Sequence, residues 1–172
     1  MGKVAEPRSR VPGLQFGEGT VICRCSNSAQ GMVMAQTGGH RRWSDFTGRW
    51  TLDRDIFHSD GSVASFAGEA VWVQRGKRLI YSESGSLTIQ GQMAMVAERR
   101  YIWLPDLTVL FEDGRLFHKV PPEGGPTAHW CDPDQYDGVY NFDDWPQFTV
   151  AWQVRGPRKS YTMTSLYRPC SG

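Results

Sequence analysis

No apolar run in this chain approaches the ~18 residues that cross a bilayer as a helix, which excludes a transmembrane helix. Charge of one sign is also lacking. Nineteen Lys and Arg stand against eighteen Asp and Glu, a net charge of +1. No global field is therefore available to hold nucleic acid or an anionic membrane, and neither is expected as a partner. Four cysteines, Cys23, Cys25, Cys131 and Cys170, form no CxxC pair and no zinc-finger spacing, so no metal site is expected. Cys23 and Cys25 lie too close together for an easy mutual disulfide. GxGxxG, a Walker loop, a Gly-x-Ser-x-Gly elbow and HExxH are all missing, and no cofactor is expected. Residues 1–10 lack the apolar stretch of a secretory signal, so the expected compartment is the reducing cytoplasm.

What is present describes a β protein rich in turns. The length of 172 residues fits one domain, or one domain plus a tail. Gly and Pro punctuate short apolar stretches, and aromatics make up 12% of the chain. The composition is uneven. Residues 1–43 hold Lys3, Arg8, Arg10, Arg24, Arg41 and Arg42 against Glu6 and Glu18, and their only aromatics are Phe16 and Trp43. Such a segment buries little apolar surface, so 1–43 reads as a disordered or loosely attached tail ahead of a domain at 44–172. Its Arg and Ser content and few acids equally suit an organelle transit segment, or a natural start at Met32 or Met34.

From Ser44 onward the pattern predicts strands near 46–56, 63–74, 78–89, 93–104, 107–112, 115–120, 126–131, 136–142, 147–155 and 158–168. Turn chemistry separates them at Ser59-Asp60-Gly61, Arg75-Gly76-Lys77, Gln90-Gly91-Gln92, Asp113-Gly114 and Gly156-Pro157. Hairpins throughout and no helical crossover predict a closed, up-and-down antiparallel β-barrel of about 8–10 strands, closure being the economical way to remove sheet edges. Asp132-Pro133-Asp134 and Asp143-Asp144 read as solvated acidic turns, and Arg41-Arg42 is too short for a nucleic-acid patch.

The first strand opens Asp45-Phe46-Thr47-Gly48-Arg49-Trp50. This resembles the Gly-x-Trp opening of the lipocalin and fatty-acid-binding (calycin) superfamily. The resemblance implies that Trp50 closes the barrel base under an Arg of the last strand, Arg168 or else Arg158. The ending Trp152-Gln153-Val154-Arg155-Gly156-Pro157-Arg158-Lys159-Ser160-Tyr161-Thr162-Met163, with Phe117-His118 and His129-Trp130-Cys131, is similar to an uncharacterised family of short lipocalin-like proteins. It covers roughly residues 45–168 and implies a fold without an activity.

Turn geometry then assigns faces. A two-residue Gly156-Pro157 turn pairs Trp152 with Tyr161 and Val154 with Lys159, so Val150, Trp152, Val154, Lys159, Tyr161, Met163, Ser165 and Tyr167 face inward. An inward lysine must be paired or wet, which places Lys159 at a barrel mouth or on a ligand. The Asp113-Gly114 turn sets Leu116, His118 and Val120 inward opposite Phe111, Val109 and Leu107, with Phe117 and Lys119 pointing away. Pairing across Pro121 to Gly125 then puts His118 beside His129 and Leu116 beside Cys131. The Gln90-Gly91-Gln92 turn brings Glu83 opposite Arg99 and Tyr81 opposite Tyr101, whereas the next register makes Glu98 and Arg100 inward. One guanidinium and one carboxylate of Glu98-Arg99-Arg100 are expected in the cavity.

The resulting expectation is an internal cavity for a small apolar or amphipathic molecule with a polar or acidic head. Trp72, Trp130, Trp152, Tyr101, Tyr161 and Met163 supply contact area, and Lys159, Arg99 or Arg100, His118 and His129 face the head group. Guanidinium favours a carboxylate head through its fork geometry. The alternative is a cofactor-free isomerase, cyclase or dehydratase in which His118 or His129 moves a proton and Tyr161 or Lys159 stabilises negative charge. A third is a haem-binding barrel ligated through one histidine.

Overall fold

The computed structural model describes residues 39–170 and, further upstream, the backbone of Leu14–Gln15. After β1 (Leu14–Gln15) and a 3-10 turn at Trp43–Phe46, ten strands follow. They are β2 (Gly48–His58), β3 (Val63–Arg75), β4 (Arg78–Ile89), β5 (Met95–Trp103), β6 (Thr108–Leu110), β7 (Leu116–Lys119), β8 (Gly125–Cys131), β9 (Asp134–Asn141), β10 (Phe148–Arg155) and β11 (Ser160–Pro169). All neighbours are antiparallel, in the order β7-β6-β5-β4-β3-β2-β11-β10-β9-β8, and β1 adds to β5 at Arg99 and Glu98. The ten strands form a nearly closed barrel, as the hairpin series predicts. No helix among the described residues is long and apolar enough to cross a membrane.

The barrel closes only in part. No ladder joins β7 to β8, and the hydrogen bond described across the seam runs from Thr127 Oγ1 to the Lys119 carbonyl at 2.8 Å. Elsewhere period-two alternation decides the packing: Trp50, Leu52 and Arg54 of β2 point inward, while Thr51, Asp53 and Asp55 line the outer side. At Gly68 and Gly85, directly opposite each other on β3 and β4, a Cβ on either would lie 2.6 Å from the partner's Cα. Only glycine permits that approach.

One end of the barrel is filled with aromatic rings. Phe46, fully buried, touches Trp103 at 5.0 Å between centroids, Trp145 at 5.4 Å and Phe148 at 5.6 Å. Trp50 is buried there as the Gly-x-Trp resemblance implies, donating its Nε1–H to the Phe46 carbonyl at 2.8 Å. Neither expected arginine covers it. Arg168 reaches outward to Asp53 at 2.7 Å and Arg158 belongs to the opposite end, while Trp50 packs on Trp72, Trp145 and Phe148. The cation at this end is Arg41, which is buried, lies 4.7 Å over Trp145 and donates its backbone N–H to the Pro122 carbonyl. The packed body therefore begins upstream of Ser44. The reading of the tail as disordered otherwise falls almost wholly outside the described residues.

Two registers differ from expectation. β10 and β11 pair Trp152 with Met163 and Val154 with Tyr161, two residues away from the predicted partners, across a four-residue Gly156–Lys159 loop. A two-residue Gly-Pro turn would put Pro157 at its second corner, which proline resists, so the ladder stops at Arg155 and Ser160. Because the offset is even, every inward assignment survives. At β6 and β7, Val109 faces His118 as predicted, but a bulge then pairs Leu110 with Leu116. It turns Leu116 out to solvent, 60% exposed, and brings Phe117 in.

Candidate ligand-binding site

Inside the barrel two spaces share Arg54, Arg99 and Met163 in their linings. A deep chamber of about 50 Å³ lies toward the aromatic base, lined among others by Trp72, Tyr101, Phe117, His118, Tyr140 and Trp152. A larger pocket of about 350 Å³ opens at the other end, between the β2–β3 and β10–β11 hairpins. Its walls are apolar, with Ile56, Ala64, Phe66, Leu87 and Ile89, and its rim carries His58, Asp60, Arg158, Lys159 and Tyr161. That volume lies within the ~300–1,000 Å³ of small-molecule sites; the chamber's does not.

The junction is an ion cluster. Successive inward positions bring Arg54 from β2, Glu83 from β4, Arg99 from β5 and Ser165 from β11 together, all buried. Arg54 makes a two-pronged contact with Glu83, Nη1 to Oε1 at 2.7 Å and Nη2 to Oε2 at 2.8 Å, and its Nε donates to Ser165 Oγ at 2.7 Å. The Tyr81 hydroxyl donates to Glu83 Oε2 and lies 3.3 Å from that of Tyr167. Burial pushes the Glu83 carboxyl up, but Arg54 and then Arg99 outweigh it and hold its pKa at about 2. Burial likewise keeps Tyr81, Tyr101 and Tyr167 protonated, their pKa values being raised.

Arg99 is the odd member. Its Nε lies 3.6 Å from Glu83 Oε1, too far for a hydrogen bond, and has no hydrogen-bond partner among the described residues. Two guanidinium ions and one carboxylate leave the cluster one positive charge in excess. A buried guanidinium in that condition has a donor that an anionic acceptor could fill.

The remaining expected residues fall into groups. Trp72, Tyr101, Trp152, Met163 and Tyr161 face the interior, and Lys159 sits at the mouth as a paired lysine, 2.7 Å from Asp134 Oδ2. Arg100 is exposed, and the inward carboxylate is Glu83 instead of Glu98, because the register of the Gln90-Gly91-Gln92 turn holds unbroken along β4 and β5. Trp130 is also outward, 60% exposed. Arg54, absent from the expected site, could have been found from the sequence: it lies four residues after Trp50, on the same face of the strand.

His118 is buried as expected, its Nε2 2.8 Å from the Tyr140 hydroxyl and its Nδ1 without a partner among the described residues. Burial, and then His129, lower its pKa to about 3, so it is a neutral imidazole. The two histidines do not share the chamber. The bulge interposes the Phe117 ring, 4.4 Å from His118 and 5.2 Å from His129 between centroids, and neither His129 nor Cys131 lines either space.

The match to a family model spans residues 46–169, nearly the whole barrel, and the chain belongs to that family, DUF6314, a family of unknown function. No curated protein matches. Among solved structures the chain is similar to an S-type phycobiliprotein lyase, CPES, from Guillardia theta, at 11% identity and a TM-score of 0.50. The likeness covers 72% of this chain and 86% of that one, and it establishes a shared lipocalin-like barrel.

Proposed function

We propose that this protein binds a small amphipathic molecule with an acidic head, holding the head against Arg99 at the junction and the apolar body in the mouth pocket. The observation that carries this reading is the unpartnered, buried Nε of Arg99 in a cluster with excess positive charge, at the floor of an apolar pocket of about 350 Å³. A carboxylate there would supply the missing acceptor and neutralise the cluster. Binding suits these groups better than acid–base catalysis: a His118 with pKa about 3 is mismatched to proton transfer near neutral pH. Haem ligation by His118 is disfavoured by the Tyr140 hydroxyl on its Nε2 and by the small chamber around it.

The test compares dodecanoate with dodecanol by calorimetry and thermal shift. The acid should bind at least tenfold tighter, as a charge-assisted hydrogen bond of ~1.5–3 kcal/mol requires. Arg99→Gln should erase that preference and still fold, because Arg54 and Glu83 remain paired with each other. Equal binding of acid and alcohol, or binding of neither, refutes the reading.

A further inference from the structure

The mouth pocket carries a second positive pole. Along β2 its floor residue Arg54 and its rim residue His58 are four positions apart, which in an extended strand is ~13 Å. Arg158 stands on the same rim. It lies in the Gly156–Lys159 loop, which is fixed by the Gly156 N–H donating to the Lys159 carbonyl at 2.7 Å and by the Lys159–Asp134 ion pair. That pair neutralises Lys159. Arg158 has no carboxylate partner among the described residues. The other rim carboxylate, Asp60, is taken up by the Ser62 N–H at 2.8 Å and the Ser62 hydroxyl at 2.6 Å. His58 packs against Tyr161 with tilted rings, 5.5 Å between centroids. The pocket thus has at its floor Arg99, ion-paired to Glu83 yet with an Nε donor unfilled, and at its rim Arg158, without a carboxylate partner among the described residues, with aliphatic or aromatic walls between.

From this arrangement we infer that the ligand is a two-headed anion, an apolar body with an acid group at both ends, the inner acid on Arg99 and the outer acid on Arg158. The inference rests on the reading proposed above and narrows its ligand class. A pocket of about 350 Å³ lies at the lower end of small-molecule sites, so the body is a medium-length chain or a small ring system. The rim contact is solvent-exposed, so it adds discrimination between ligands and little to the total affinity.

Titration calorimetry with dodecanedioate and with its monomethyl ester separates the two heads. Two equivalent ends give the diacid a twofold statistical advantage, and an exposed ion pair at the upper end of its ~0.2–1 kcal/mol range multiplies that by about five. An approximately tenfold preference for the diacid is therefore expected at low salt, falling toward twofold at high ionic strength. Arg158→Gln should reduce it to about twofold at low salt while leaving the monoester's affinity unchanged. Arg99→Gln should weaken both compounds. Equal affinities apart from the statistical factor, with both compounds bound, would overturn the two-headed ligand and leave the acidic-head reading standing. A tenfold preference that survives Arg158→Gln would overturn the assignment of the outer pole. Failure of both compounds to bind, with dodecanoate also silent, would overturn the inference together with the reading beneath it.

Discussion

Replacing Glu83 with glutamine keeps the shape of the junction and removes its only carboxylate. Arg54 then loses both charged acceptors of its two-pronged contact, Tyr81 its charged acceptor, and Arg99 its sole counter-ion among the described residues. Breaking a buried pair by removing one partner costs ~3–5 kcal/mol, because it leaves uncompensated charge in a medium of low polarity. A second route gives a similar size. Holding the Glu83 pKa at about 2 against an ordinary 4.5, at ~1.4 kcal/mol for each tenfold change in proton affinity, corresponds to about 3 kcal/mol. The sign follows from a folded-state pKa below the unfolded one: this stability is fully present above pH 4.5 and is lost as pH falls through about 2. Urea unfolding at pH 7 should show the Glu83→Gln protein ~3–5 kcal/mol less stable with an unchanged denaturant slope, and its stability should be flatter than the parent's between pH 4.5 and 2. Adding Arg54→Met should restore part of the loss, since it removes one of the two cations left uncompensated, while Arg99 still lacks its counter-ion. A single variant within ~1 kcal/mol of the parent, or a double variant weaker than the single, would refute the picture of a dry, mutually dependent ion cluster.

His118→Gln should flatten the parent's loss of stability between pH 6.5 and 4.5: a buried histidine whose pKa falls from 6.5 to about 3 favours the folded state above 6.5 and opposes it as pH drops, whereas Glu83 still lies above its unfolded pKa in that window. Trp50→Ala, by removing a base aromatic packed on three rings, should destabilise by ~3–5 kcal/mol in chemical denaturation. Gly85→Ala should cost ~1–3 kcal/mol, because its Cβ would meet the Gly68 Cα at 2.6 Å and backbone cannot swing away as a flexible side chain can. Hydrogen exchange at Leu116–Lys119 should outpace that of β3 and β4, as β7 meets β8 across a seam without a ladder.

Most of the barrel is legible in the sequence because its hairpins are short. The Gln90-Gly91-Gln92 turn fixes a register that runs unbroken to Leu79 and Trp103, and with it the placing of Glu83 against Arg99. The inward set of β10 and β11 was recoverable even with the wrong turn length, since an even offset preserves faces. What escaped was the bulge beside Val109, which no residue type announces: Leu116 and Phe117 are both apolar, and only three-dimensional packing chooses which enters. The candidate site was partly visible for the same reason. Arg99 and Tyr101 follow from a turn, whereas the placing of His129, Cys131 and Arg100 rests on registers that the structure does not use.

The crowding of indoles at the base has an optical consequence. Trp50, Trp72, Trp103 and Trp145 form a connected set, with centroids 6.0 Å apart for Trp50–Trp72, 5.7 Å for Trp50–Trp145 and 5.6 Å for Trp72–Trp103. Rings so close share excitation, so far-ultraviolet circular dichroism should show an exciton couplet that weakens when Trp50 or Trp72 is removed, each removal leaving one coupled pair. No tryptophan lines the mouth pocket, whereas Trp72, Trp103 and Trp152 line the deep chamber. A guest confined to the mouth leaves this emission dark to its presence, and one that reaches past Arg99 changes its colour. The intrinsic light of the protein thus works as a depth gauge for whatever enters the barrel.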